Sequence, residues 1–570
     1  MIYGKAAFPN REPHFYKSHL EQGVYRIMNQ RLTRAAALLL AVLVLLTGCG
    51  SKSTTQSAVL ITPEPTEASV GATVQPDGDV TVSSGATLSV GYVAEQGSDL
   101  HPLRGNARDL SSLNSLVFES LVELDENRQP TALLCDRWEY SSEEGVWYFY
   151  LRDGIVFHDG SPLTAYDVVA SYEDIIINSE ISPYYNRVRY LNEVSAVDDL
   201  TVKVVTGTYG YMTLYAMTFP IVQRNTLDAQ YPKGTGPYWY VSYNSWGLLR
   251  LEANPLWWKQ QPEIQSINIK RYDEVSEAME ALATGEIDIF PTTSSSAALS
   301  RQLSDRTTMD YTTLTWECLV PDLRNSILSD INVREALMYA IDRTSLASTV
   351  YLGMVQESEV PVIPGSWLYE TQSAVYNYNP ERALQLLYEA GWADNDGDGI
   401  LDRVKDGLWE DLEINLVTYN EPTIASRQKA AELIASQLRV IGIRVNVTVT
   451  TREKVIKTIN SDTGFSMALV GFNLSYIPDL SYLFKSGANG NCSFYESEKM
   501  DNLLAQAKTA ADADELKAVL SDIQLLITED LPMLGLFFRS GTLVSRVSLG
   551  GLSGIREDNY LRGIDSMTLE

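Results

Sequence analysis

Along this chain, runs that alternate apolar and polar residues give way repeatedly to runs with helical spacing. Thr87–Val93 alternates and predicts an opening strand. A helix is expected over Asp109–Leu121. Tyr148–Ser171 opens as an alternating strand, turns at Asp159-Gly160 and enters a helix near Thr164. Val194–Val205 predicts a hairpin with Asp198-Asp199 at its turn. Glu277–Phe290 reads as an amphipathic helix, a stop at Gly285 and a short buried strand. In Ser329–Arg343, Val333, Ala336, Leu337, Ala340 and Ile341 fall on one helical stripe that faces a core. Asp330 sits where an N-cap belongs, and Arg334 and Arg343 are expected in structural ion pairs. Asn379–Trp392 predicts a helix stopped by Gly391, and Ala425–Val447 a helix followed by an alternating strand. Met500–Ala507 and Asp514–Glu529 read as late helices, and Leu531–Phe538 as a buried strand. Alternation of helices and strands on this scale argues for an α/β fold.

The first 85 residues have a different texture. Ala35–Leu46 is an unbroken apolar run of 12 residues behind Arg31 and Arg34. A membrane span needs roughly 20, so the run suits the core of a signal peptide. Leu46-Thr47-Gly48-Cys49 resembles a bacterial lipobox, which implies cleavage before Cys49 and a diacylglycerol on its sulfur. The alternative is an ordinary secretory signal with an incidental cysteine. Residues 1–27 carry Glu12, Glu21, Pro9 and Pro13, which suit no signal peptide, and read as an extension ahead of a start at Met28. Residues 28–48 are then the signal peptide. Residues 49–85 are the lipidated cysteine and a Ser/Thr/Pro/Gly-rich tether that cannot bury a core. A flexible tether of about 35 residues reaches roughly 30–35 Å.

The folded part is too long for one compact core, and two or three domains are expected. The chain's net charge is −29; residues 1–48 contribute six basic and two acidic side chains, so without them it is −33. That balance argues against nucleic-acid binding and against an electrostatic grip on anionic lipid. Beyond Cys49, the cysteines Cys135, Cys318 and Cys492 match no zinc spacing and predict no particular disulfide. Only His101 and His158 follow the signal segment, and no nucleophile motif, zinc-protease motif or P-loop is present. No catalytic residue and no cofactor are therefore assigned. Asp394, Asp396 and Asp398, with Gly399, occupy the first positions of a calcium-type loop, but position 12 is Lys405. A turn built by Asp and Gly is favoured over a calcium site there.

Tyr148–Ser171, Pro232–Tyr238 (PKGTGPY) and Ser329–Arg343 together resemble the family 5 extracellular solute-binding proteins, the peptide- and nickel-type receptors of ABC importers. Leu251–Trp258 and Ala425–Val447 extend the likeness over most of residues 86–570. As a phosphate cradle PKGTGPY is weak; Gly234 and Gly236 are read as turn glycines. The resemblance implies a two-lobed fold of the type II periplasmic-binding-protein kind, with a hinge. It implies a discontinuous lobe I at 86–121, 229–316 and 528–570, a subdomain at 122–228, and lobe II at 317–527.

It further implies a peptide-like solute captured between the lobes and passed to an ABC permease, by a monomer anchored through lipid on the outer face of the cell membrane. A signal receptor of the same fold, or a binder of a sugar or metal chelate, remains open. The ligand-facing strand falls on Ser466–Tyr476, with Gly471 and Asn473 offering backbone groups and Phe472 a wall or a core aromatic. Peptide binders of the family place an aspartate after this strand to receive the α-ammonium. Here that place falls on Ser475, and Asp479 is either a substitute acceptor or, as favoured, a turn residue after Pro478.

Overall fold

The computed structural model describes residues 86–94, 101–105, 112–244, 247–373, 375–421, 426–461 and 465–569. The expectations for residues 1–27, for the signal peptide 28–48 and for Cys49 and the tether to 85 lie outside the described residues.

Helix ends form where the sequence supplies caps. Thr164 and Asp167 make a reciprocal capping box that starts the helix Ala165–Ile177. Asp330 accepts from the Asn332 amide at the start of Ile331–Ala340, and Asn379 accepts from Arg382 ahead of Pro380–Glu389. Gly285 takes the left-handed conformation (φ 82°) that ends Val275–Thr284. The stripe Val333, Ala336, Leu337 and Ala340 is buried as its spacing predicts.

Strands Ala86–Val93, Leu191–Asp198 and Thr201–Thr206 form as expected. Two expectations shift. The helix over Asp109–Leu121 is short: of its described residues only 112–114 are helical. The carbonyls of Leu116 and Val117 instead accept the amides of Tyr238 and Gly236, so the loop pairing displaces the last helical turns. The late strand begins at Leu534, because Leu531 is the left-handed cap of the helix Ala513–Asp530, and it runs on to Ser545.

An 11-stranded mixed sheet runs through the molecule, and a separate four-stranded antiparallel sheet is built from Cys135–Ser141, Val146–Leu151, Thr201–Thr206 and Leu191–Asp198. Two long antiparallel strands, Thr307–Pro321 and Leu534–Ser545, lie at the centre of the large sheet. At one end they pair with Ile289–Thr292, beside Ala86–Val93 and Ile264–Tyr272; at the other with Met467–Asn473, beside Glu413–Tyr419 and Arg444–Thr450. Their register shifts between Thr312 and Trp316. Helices Ile331–Ala340, Pro380–Glu389 and Ser426–Val440 pack on the second end through Leu337, Leu386, Trp392, Ile434 and Phe537.

Candidate functional site

The strand Met467–Asn473 pairs along its length with Pro321–Thr315. On its other side only Met467 and Ala468 pair with Glu413–Tyr419, so its end is an open edge while its start is internal. That open end, with the turn after it, forms one wall of a cleft of about 580 Å³. Phe472, Asn473, Ser475, Tyr476 and Asp479 line this wall. The facing wall comes from Arg128, Tyr184, Arg187, Arg189 and Tyr190, and the loop at Ser366–Leu368 closes a side with Trp367.

Several contacts cross the cleft. The Trp367 indole donates to the Tyr215 hydroxyl (2.9 Å), and its amide to the Asn127 carbonyl (2.9 Å). The Arg187 guanidinium lies 3.6 Å from the centre of the Tyr476 ring and 4.9 Å from that of Tyr184, and it donates to the Thr218 hydroxyl (3.2 Å). Asp479 is occupied: it accepts from the Tyr209 hydroxyl (2.9 Å) and the Ser481 amide (2.9 Å) and pairs with Lys508 (3.2 Å). It thus ties the turn after Pro478 to Tyr209 and Lys508. Ser475 accepts from the Ile477 amide (3.1 Å).

Gly471 is placed elsewhere. A Cβ there would lie 2.9 Å from both Arg427 Nη2 and Glu317 Oε1, so glycine leaves room for a buried ion pair beneath the strand. Glu317 is fully buried and accepts from Arg427 (2.6 and 3.0 Å) and Arg539 (2.6 Å). Burial alone would raise its pKa, but the two guanidiniums outweigh burial and hold the carboxyl below its usual range. Glu421 pairs with both arginines in turn. Gly471 lines a second cavity of about 910 Å³ on this side, where acid and base are matched; Asn473 borders both cavities.

Other singled-out residues are structural. His158 Nδ1 accepts from the Gly234 amide (3.3 Å) and Nε2 faces the Gly236 carbonyl (3.4 Å). This arrangement needs a neutral ring, and burial pushes the pKa down to about 4. His101 bridges the Leu227 carbonyl and the Leu103 amide. Arg343 pairs with Glu359 as expected, whereas Arg334 donates to the carbonyls of Leu328, Ser329 and Asp530 and serves as a cap, not an ion-pair member. Cys135, Cys318 and Cys492 are buried free thiols. The carboxylates of Asp394, Asp396 and Asp398 come within 4.8 Å of one another, exposed. Asp394 accepts from the amides of Gly397 and Gly399, and Asp398 pairs with Arg444, which are the bonds of a turn.

The sequence reading missed Arg128, Arg187, Arg189 and Trp367, which sit in stretches with no motif. It also missed Glu119, fully enclosed, which accepts from the Trp257 and Trp258 indoles and the Thr235 hydroxyl and so clamps PKGTGPY to LEANPLWW. Burial raises its pKa.

The family model for bacterial extracellular solute-binding proteins, family 5 Middle, matches residues 129–493. The chain belongs to this family. Membership places it among solute-binding proteins and not among enzymes. The oligopeptide-binding protein AppA of Bacillus subtilis is 24% identical over 537 residues, 90% of this chain and 94% of AppA. Its structure in complex with a nonapeptide matches with a TM-score of 0.58 over 85% of this chain and 99% of that one. The glutathione-binding protein GsiB of Pectobacterium atrosepticum is 24% identical over 517 residues, 87% of this chain and 95% of GsiB. HbpA2 from Haemophilus parasuis superposes with a TM-score of 0.73 at 21% identity, over 85% of this chain and all of that one (100%). These likenesses establish the fold as that of two-lobed periplasmic-type binding proteins. Among the described residues no helix is long and apolar enough to cross a membrane.

Proposed function

We propose that this protein captures a peptide-like solute in the cleft between Phe472–Asp479 and Arg128/Tyr184–Tyr190 and delivers it, as a monomer, to an ABC import permease. The observation that carries this reading is the open end of the strand Met467–Asn473, which leaves backbone groups unpaired on a cleft wall. An extended ligand adds to such an edge through its own main chain, and alternate side chains enter pockets. Phe472 and Asn473 offer that edge, and Ser475 the neutral turn behind it. Gly471 and Asp479 support the wall from beneath and across. AppA and GsiB, named for oligopeptide and glutathione binding, support a peptide-like solute.

Lobe I is taken as 86–121, 229–316 and 528–570, the subdomain as 122–228, and lobe II as 317–527. Closure of the lobes would exclude water and strengthen each polar contact. An anchor through Cys49 completes the reading, and loss of the Cys49→Ser chain from the membrane fraction checks it.

The function is tested by mixing the full chain with a pool of short peptides, re-isolating it and reading its mass under native conditions. A discrete shift of peptide size is expected. A bare chain, from a pool that loads AppA in parallel, contradicts it.

A further inference from the structure

The cleft is basic, although the protein is strongly acidic. Three arginines line it, Arg128, Arg187 and Arg189, and the one carboxylate in its wall, Asp479, is already paired with Lys508. Behind the wall stand Asp558 and Glu557. Asp558 lies 3.4 Å from Arg556, and Glu557 accepts the Leu314 amide. Arg556, Arg128 and Arg187 together hold the Asp558 carboxyl below its usual range, so these two acids are shared among four arginines, Arg189 included, and the group keeps a net positive charge. The second cavity differs, since Glu317 and Glu421 there match Arg427 and Arg539.

Arg187 is held by its neighbours. Its guanidinium carbon lies 3.6 Å from the centre of the Tyr476 ring and 4.9 Å from that of Tyr184, contacts that restrict the side chain. Among the described residues the guanidinium's one hydrogen-bond partner is Thr218, which leaves most of its five N–H donors for solvent or ligand. Among the described residues the Arg128 side chain makes one hydrogen bond, to the Thr312 carbonyl (3.2 Å). Burial lowers its pKa in spite of Asp558 and Glu557, with Arg556 adding to the effect, so the counter-charge present does not compensate it. Arg189, exposed, stacks 4.7 Å from the centre of the Tyr190 ring. A guanidinium held in this way matches the two oxygens of a carboxylate. On the opposite side, Ser475 is neutral and Asp479 is taken, so an ammonium has no partner to meet.

We infer that the cleft recognises its solute through an anionic group, a carboxylate where the solute is peptide-like, held by Arg187 with Arg128 and Arg189, and that no α-ammonium is required. The apolar body of the solute lies against Phe472, Trp367 and Tyr476. This inference rests on the cleft being the ligand site. It makes N-blocked peptides, with a free C-terminus, better ligands than free-amine peptides with an amidated C-terminus.

The test uses two matched pools of short peptides with the full chain, one N-acetylated with free carboxylates, the other free-amine and C-amidated. N-acetylphenylalanine and phenylalaninamide serve as small probes of opposite charge. Calorimetry gives the affinities. The acetylated pool binds and the amidated pool does not, if both the peptide reading and the inference hold. Binding of the amidated pool with equal or greater affinity keeps the peptide reading and overturns the inference. Should neither pool bind, the peptide reading falls, and the small probes decide the inference: a preference for N-acetylphenylalanine upholds it, and no preference overturns it.

Arg187→Gln is expected to weaken binding of the anionic probe by about tenfold or more, the worth of one charge-assisted hydrogen bond. Arg189→Gln, at an exposed position, weakens it less and lowers the salt dependence of binding, since the contribution removed is a screened one. Arg187→Lys recovers part of the loss with an unchanged melting temperature, which a purely structural arginine would not do. Unaltered affinity in both glutamine variants overturns the assignment.

Discussion

At the scale of single residues, His158 shows how a conspicuous histidine can be structural. Its Nδ1 takes the Gly234 amide proton, so a proton added there would set two donors against each other. The folded pKa of about 4 lies below the ordinary value of 6.5. The stabilising effect is therefore fully present above pH about 6.5 and is lost as pH falls toward 4. The loss amounts to about 2–3 kcal/mol, discounted for the partial exposure of the ring. His158→Gln keeps an acceptor and a donor but has no proton to gain. Urea unfolding from pH 7 to pH 4 should show a shallower decline in the variant than in the wild-type chain. Parallel declines would mean that His158 is protonated in the fold.

At the scale of elements, PKGTGPY is a packing device. A Cβ on Gly234 would lie 2.0 Å from the Val117 carbonyl oxygen, and one on Gly236 2.7 Å from the Val117 carbonyl carbon. The loop needs glycine for close backbone approach, whereas the sequence suggested a turn requirement. Gly234→Ala must push two backbones apart and is expected to cost about 3 kcal/mol. Gly154 has open space around it and a φ of +81°, so Gly154→Ala meets only left-handed strain and costs about 1 kcal/mol. Thermal unfolding of both variants checks the order; equal losses would contradict the packing account.

Local patterns made many elements legible. Alternation marked Ala86–Val93 and the hairpin at Leu191–Thr206, and caps at Thr164, Asp330 and Asn379 marked helix starts. The reach of Leu534–Ser545 was not legible, because its second half is polar and finds its partners in Thr307–Thr312. The candidate site was legible only on one wall. Phe472 through Asp479 follow a recognisable strand, but Arg128, Arg187, Arg189 and Trp367 come from three separate stretches that only the tertiary fold brings opposite them.

On the scale of the whole molecule, two cavities flank the end of one strand, and Asn473 borders both. We place the solute in the cleft beside Arg187, where arginines outnumber acids; in the other cavity the closed Glu317–Arg427–Arg539–Glu421 network holds the long strands together. Amide hydrogen exchange with and without a bound peptide separates the two. Protection is predicted to concentrate at 184–190, 366–368 and 472–480. Protection instead at 450–453 and 539–540, with the cleft segments unchanged, would contradict the account.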